Sequence, residues 1–366
     1  MKLCVGVVKP SLAWQQVCQQ EGVLCVQVNL NVDSMDEYCS VIVVDRPLTS
    51  GEHSAIENYL NNGGAVIGYG PHLLGVGGTD VRWERIDYVV SEHDEKFPGI
   101  QIVDLASYTA IPREANTLRT QSNTFAMFAG RLGGGHAVIL PFDVEQMFYD
   151  SRAASKNFYF TRERLPAERV SLVSKGEMHH LVHRALEYLH HARGLPYAHL
   201  WYFPDGQRNL FAFRVDTDAA AQKDIDGLYR IAREHSISMS WYLDVKSHEP
   251  WLNHFSYMVN QEIGLHCYEH QTYEIYELNA KNMEAGLHAM RSHGLNPKGF
   301  AAPFGIWNTG LARAIDEHGF EYSSEFSYAY DTLPMYPADN GTLFSALQVP
   351  IHPISIGSLR RVGYSE

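Results

Sequence analysis

The sequence predicts an α/β protein in two parts: a doubly wound parallel sheet, then a run of β-α units that carries the chemistry. Three observations predict it. The chain has 366 residues, the length of two ordinary domains. Short apolar runs alternate with helical patterns through residues 1–150. From Asn209 onward, polar residues recur at the C-terminal ends of successive strands, where parallel α/β sheets and barrels place active sites.

Composition narrows the function. Hydrophobic residues make up 45% and charged residues 19%, so real cores are expected and disorder is excluded. The net charge of −13, with no basic run longer than Arg360-Arg361, argues against a nucleic-acid partner. No stretch of eighteen apolar residues occurs, so no transmembrane segment is expected. The first apolar run, Leu3 to Val8, is closed by Lys9-Pro10 and is too short for a signal-peptide core. It reads as a first buried strand, which makes the cytoplasm the default location. Cys4, Cys18, Cys25, Cys39 and Cys267 form no Cys-x-x-Cys pair and are odd in number. They read as small buried side chains rather than as a disulfide framework or zinc ribbon.

In residues 1–150 the expected strands are Leu3–Val8, Val23–Val28, Val41–Val44, Ala65–Gly68 and Ala137–Leu140. Between the third and fourth, Ser50 caps a helix running to about Asn61, and Gly63-Gly64 ends it. Strand, helix and strand make a parallel βαβ unit. The glycine clusters Gly68 to Gly78 and Gly133–Gly135 read as turns, because no Gly-x-Gly-x-x-Gly or Walker spacing is present. This half resembles a class I glutamine-amidotransferase-like domain. That family carries a cysteine at a tight turn after a strand, where this chain has Gly68-Tyr69-Gly70-Pro71-His72. The resemblance therefore implies a non-catalytic domain, with homo-oligomer formation or ligand sensing as its roles.

Residues 151–205 read as a helical connector, with a helix from about Gly176 to Arg193. His179 and His183 share a helical face, but no third ligand stands near in sequence. Glu177, Arg184 and Glu187 suggest a solvated face. Tyr197 to Pro204 reads as an aromatic linker.

Residues 206–366 form the remaining domain. Strands are expected at Leu210–Val215 and Ile237–Val245, and near Glu262–His266, Gly299–Ala301, Tyr322–Ser324 and Leu347–Pro353. Helices are expected at about Ala221–Glu234, Glu277–His293 and Thr309–Glu317. Asp216-Thr217-Asp218 ends the first strand, and His266 and His270 follow a later one. Two imidazoles and one carboxylate make a facial metal site with open positions for water and substrate. Either motif alone is weak. Together, in this order and on strand ends, they point to hydrolytic metal chemistry.

These motifs resemble the polysaccharide deacetylase (NodB-like, carbohydrate esterase family 4) superfamily. The style of Asp216-Thr217-Asp218 is closest to the lipid-linked 4-deoxy-4-formamido-arabinose deformylase branch. The resemblance covers about residues 208–357 and implies a distorted (β/α) barrel. It implies a metal held by Asp218, His266 and His270, zinc first, with cobalt, nickel or manganese as alternatives. It implies Asp216 as general base, the Phe304 N–H after Pro303 as oxyanion donor, and His352 as general acid. The implied substrate is an N-acetylated or N-formylated amino sugar or glycan.

Two departures stand out. The family's third-motif arginine, which pairs with the catalytic aspartate, is Ala301 here. Arg214 can take its place, because residues two apart in a strand share a face. Only fourteen residues follow His352, so the family's closing helix is expected to be missing or supplied elsewhere. Two further readings stay open: hydrolysis of a small non-sugar amide, and a carbohydrate-binding or regulatory pseudoenzyme, suggested by Ala301.

Overall fold

The computed structural model describes residues 3–35, 39–91, 95–160, 163–165, 169–352, 354–361 and 363–364. Pro353, in the last expected strand end, lies outside them. The chain divides into two compact units: Met1–Asp150 with Leu172–Gln207, and Ser151–Ser171 with Arg208–Glu366.

The first unit holds one nine-stranded sheet. Its strands are β1 Val5–Val7, β2 Cys25–Gln27, β3 Val41–Val44, β4 Ala65–Tyr69, β5 Val81–Val90, β6 Ile102–Pro112, β7 Thr117–Thr120, β8 Phe125–Leu132 and β9 Gly135–Leu140. The order is β2-β1-β3-β4-β9-β8-β7-β5-β6. The five expected strands form its parallel half. The other four are antiparallel and correct the expectation of a purely parallel, doubly wound sheet. They escape a search for continuous apolar runs because antiparallel strands with one wet face alternate. In Val81-Arg-Trp-Glu-Arg-Ile-Asp-Tyr-Val-Val90, Ile86 and Val89 are buried while Trp83, Arg85 and Asp87 face solvent. The glycine clusters are turns: Gly75, Gly77, Gly78 and Gly133 all have positive φ. Gly135 starts β9 so close to Gly64 that a Cβ would lie 2.2 Å from its carbonyl oxygen.

The expected connector is split between the units. Helix Lys175–Ala192 buries Met178, Leu181, Val182, Ala185, Leu186 and Leu189 and packs on β3, β4 and β9, so it belongs to the core of the first unit. The buried Lys175 ammonium donates to the carbonyls of Met147, Phe148 and Asp150 at 3.1, 2.8 and 2.6 Å, closing the end of helix Val144–Tyr149. The face carrying His179 and His183 is not solvated, and it does meet a carboxylate. Glu21 lies 3.2 Å from His179 Nδ1 and 3.3 Å from His183 Nδ1, and accepts from the Tyr202 hydroxyl at 2.6 Å. Burial raises the Glu21 carboxyl, but hydrogen bonds from His179 and His183 outweigh it and hold the pKa at about 2.

The second unit begins with two short antiparallel pairs, β10 Ala153–Ser155 with β13 Arg169–Ser171, and β11 Phe158–Phe160 with β12 Glu163–Leu165. Its main sheet is parallel: β14 Arg214–Asp216, β15 Ser240–Leu243, β16 Glu262–Leu265, β17 Gly299–Ala301, β18 Tyr322–Ser324 and, after the small pair β19 Ala338–Asp339 and β20 Thr342–Leu343, β21 Leu347–Gln348. These six strands pair in chain order with β14 and β21 as edges, a half-barrel rather than a closed barrel. Helices Gln222–Glu234, Tyr276–Ser292 and Thr309–Glu317 fall where expected. The last is capped by Asn308, whose side chain accepts from Leu311 N–H at 2.8 Å. Leu210 and Phe211, expected in the first strand, stay exposed outside the sheet. A short helix, Ile356–Arg361, does follow His352.

Glycines shape the interior of the half-barrel. A Cβ at Gly264 would lie 2.6 Å from the Tyr242 ring, and one at Gly299 2.2 Å from the Tyr322 ring. The two rings fill that space, and Tyr242 donates to the Tyr322 hydroxyl at 3.0 Å.

Candidate active site

Strand alternation puts Arg214 and Asp216 on one face of β14. The structure joins them directly. Arg214 Nε donates to Asp216 Oδ1 at 2.6 Å and Nη2 to Oδ2 at 2.7 Å. Its Nη1 donates to the Ser324 carbonyl at 2.6 Å and hydroxyl at 3.1 Å. The guanidinium also lies 5.4 Å from the Tyr242 ring centre, a cation–π distance. The Arg214 side chain is 10% exposed and Asp216 32%, so the arginine is the buried support and the carboxylate the reachable partner. Burial works against the Arg214 charge, and Asp216 beside it more than compensates.

The chain then turns sharply. Ala220 N–H donates to the Thr217 carbonyl at 2.9 Å, and Asp218 sits in the left-handed region at φ 40°. This aims its carboxylate at two imidazoles. Asp218 Oδ1 lies 3.4 Å from His266 Nε2 and 3.1 Å from His270 Nε2, and the two Nε2 atoms are 3.1 Å apart. Hydrogen bonding to His266 leads the effects that hold the Asp218 carboxyl below its usual range.

His266 is buried, and its Nδ1–H donates to the Ala301 carbonyl at 2.7 Å. A carbonyl only accepts, so this bond puts the proton on Nδ1 and leaves the Nε2 lone pair facing the centre. His270 reaches the same point along a loop, not a helix. Cys267 takes φ 68° just after His266, and buried Asn282 ties the loop down. Asn282 Oδ1 accepts from Tyr268 N–H and Glu269 N–H, both at 2.9 Å, and Nδ2 donates to the Glu269 and Gln271 carbonyls at 3.1 and 3.0 Å. Asn282, on helix Tyr276–Ser292, is a site-building residue that the motif search missed.

The donor set fits a divalent cation. Ligand atoms about 2.0–2.1 Å from a tetrahedral zinc lie about 3.3–3.4 Å apart, close to the triangle seen here. Among the described residues, Asp218, His266 and His270 form the one group of three such side chains whose ligand atoms converge this way. The Glu21, His179 and His183 cluster does not.

The remaining expected residues are placed unevenly. Pro303 is buried, and Phe304 follows it at φ 58° with its ring centre 5.2 Å from that of His270. Phe304 is 66% exposed. His352 is exposed, and its Nδ1 accepts from Ile354 N–H at 3.2 Å. It makes no hydrogen bond, ion pair or ring contact with Asp216, Asp218, His266 or His270. Ala301 is fully buried and contributes only its carbonyl.

Glu325 is a second residue the motifs did not reveal, although Ser323-Ser324 at the strand end stood beside it. It is fully buried, accepts from Ser323 Oγ at 2.8 Å, and leaves Oε1 without a partner. Burial pushes its carboxyl up to about 7, against the pull of Ser323 and Arg214.

Comparison with known proteins gives remote likenesses. No family model matches the chain, and no curated protein matches it. Similar solved structures include a Mycobacterium smegmatis protein described as a polysaccharide deacetylase, with 20% identity over 41% of this chain and 60% of that one, at a TM-score of 0.35. A PuuE allantoinase matches at 17% identity over 41% of this chain and 63% of its own, TM-score 0.32. A CE4 family pseudoenzyme from Bacillus anthracis matches at 16% identity over 42% and 61%, TM-score 0.28. The chain thus spans less than two thirds of each of these proteins. Likeness at this level does not decide the reaction.

Proposed function

We propose that the chain is a metal-dependent hydrolase that removes an N-acyl group, acetyl or formyl, from an amino sugar or glycan. The observation that carries the reading is the convergence of Asp218 Oδ1, His266 Nε2 and His270 Nε2 within 3.1–3.4 Å, with the arginine-clamped carboxylate of Asp216 two residues before Asp218. Asp218, His266 and His270 hold the ion, with zinc the best match to two imidazoles and one carboxylate. When bound, a divalent ion there supplies polarisation of the amide carbonyl and a more acidic water.

The rest falls to the chain. Asp216 takes the proton of the water whose oxygen bonds to the acyl carbon. Arg214 fixes the orientation of that carboxylate through two charge-assisted bonds. The Phe304 N–H donates to the oxyanion as the carbonyl becomes tetrahedral. As the C–N bond breaks, the leaving amine takes a proton from His352, the sequence candidate for this step. Arg214 in this arrangement does from β14 what the third-motif arginine does in the family, which favours an active enzyme over a binding-only protein despite Ala301. Among the described residues no helix is long and apolar enough to cross a membrane. Lipid- and nucleotide-linked amino sugars are included among the substrates to be tried.

The test is release of acetate and formate from N-acetyl and N-formyl amino sugars by the zinc-loaded protein, with small non-sugar amides alongside. Release from the sugars alone supports the proposal. Release from small amides alone moves the substrate class, and release from neither, with zinc bound, overturns the enzyme reading.

A further inference from the structure

We infer that Thr217, the residue between the two aspartates, is a positioning residue that sets the metal affinity of the Asp218, His266 and His270 centre by holding Asp218 in its left-handed backbone conformation. The inference rests on that centre being a metal site.

Every polar atom of Thr217 is engaged. Its N–H and its hydroxyl both donate to the Tyr242 carbonyl, at 3.0 and 3.1 Å. Its carbonyl accepts from Ala220 N–H at 2.9 Å. The Oγ1 atom also accepts from Asp244 N–H at 3.2 Å and lies 2.8 Å from His248 Nε2. A hydroxyl has one proton and two acceptor positions. With the proton on the Tyr242 carbonyl, both acceptor positions are filled, so His248 Nε2–H is the donor. Thr217 is 2% exposed, and His248 is fully buried. The His248 ring packs against Trp251 and Phe255, with centres 4.7 and 5.6 Å apart. None of these partners can be replaced by solvent without opening the core.

That rigidity has a use. Asp218 adopts φ 40°, in the left-handed region that carries a steric cost for any residue with a Cβ, though a smaller one for aspartate, so the contacts around the turn bear on whether it is kept. Thr217 immediately precedes it and is fixed to the C-terminal end of β15. If the turn relaxed to an ordinary conformation, the Asp218 carboxylate would leave the two Nε2 atoms and the three-donor triangle would open. The branched Cβ alone does not supply this, because each of the Oγ1 contacts is polar.

Zinc affinity of the full chain, measured by competition with a chromophoric chelator, tests the inference, with circular dichroism to confirm the fold. Thr217→Val keeps the shape and removes the oxygen, and is expected to bind zinc at least about ten-fold more weakly. Thr217→Ser keeps the oxygen and is expected to match the unaltered protein. With cobalt(II) as probe, T217V is expected to change the visible absorption bands, which a loss of stability alone would not do. Equal zinc affinity and unchanged cobalt bands in T217V overturn the inference. If T217V does not fold, His248→Phe removes one donor while keeping the ring, and unchanged affinity there overturns it equally. Failure of the unaltered protein to take up zinc overturns the metal reading itself, a result visible before any variant is compared.

Discussion

Arg214 Nη1 donates to the Ser324 carbonyl at 2.6 Å, tying β14 to β18 across three intervening strands. The same guanidinium clamps Asp216, so the position of the carboxylate is referred to the far side of the half-barrel and not to its own strand alone. An arginine at Ala301 would approach from β17 instead. Ala301 is fully buried, so the longer side chain would overpack that position.

Replacing Arg214 should therefore damage catalysis more than metal binding. Arg214→Met is expected to lower kcat about 10-fold or more, while zinc content stays at one per chain. Arg214→Lys should recover only part of the loss, because an ammonium cannot make the paired contact. Ala301→Arg in the R214M background is expected to give no rescue. Steady-state kinetics with metal analysis of each variant decide the matter.

Asp216 and Asp218 are separable by the same pair of measurements. Asp216→Asn is expected to bind zinc normally and to lose about 10²–10⁴-fold in rate, the usual worth of general-base catalysis. Loss of zinc from D216N would mean that the two aspartates have exchanged roles.

Elemental analysis should likewise separate the two histidine pairs. His266→Ala and His270→Ala are each expected to lose the ion. His179→Ala is expected to retain it, since His179 and its partner Glu21 both belong to the first unit and the three proposed ligands to the second. Full zinc occupancy in both H266A and H270A would remove the proposed centre.

Glu21 predicts an acid-sensitive fold. Its folded pKa of about 2 lies below the ordinary 4.5, so it contributes stability above pH 4.5 that is lost as pH falls towards 2. The shift corresponds to about 3 kcal/mol. Denaturant unfolding between pH 6 and 3 should show this loss, and Glu21→Gln should flatten it.

Glu325 predicts the opposite slope. Its folded pKa of about 7 lies above 4.5, so its contribution is fully present below pH 4.5 and is lost as pH rises through 7. Glu325→Gln keeps the acceptor for Ser323 and is expected to stabilise the protein above pH 7 while changing little at pH 4.5. A variant equally stable at both would place the titration elsewhere.

The sequence makes the proposed metal ligands legible because they are close-spaced and of rare type: Asp218 two residues after Asp216, and His270 four residues after His266. It makes Val41–Val44 legible because the run is continuously apolar, and the helix ending at Asn61 legible because Gly63-Gly64 follows it. What stays hidden depends on distant partners. His179 meets Glu21 across 158 residues, and nothing near His179 announces it. Asn282 looks like an ordinary helix residue until the His266–His270 loop folds onto it. The alternating strands between Val81 and Leu132 look like surface because half of each is surface.

Lys175 bears on where this chain can be cut. Its ammonium closes the helix end at Asp150, yet it enters only after the chain has left the first unit and returned. Residues 1–150 alone would leave three carbonyls without their cation and the sheet surface on β3, β4 and β9 without the helix that covers it. During synthesis the first unit must wait, unfinished, while the excursion through Ser151–Ser171 is made. A fragment ending at Asp150 is thus expected to aggregate, whereas one ending at Gln207 holds every segment of the first unit. Ribosome-stalled or protease-trimmed products should sort on either side of that boundary.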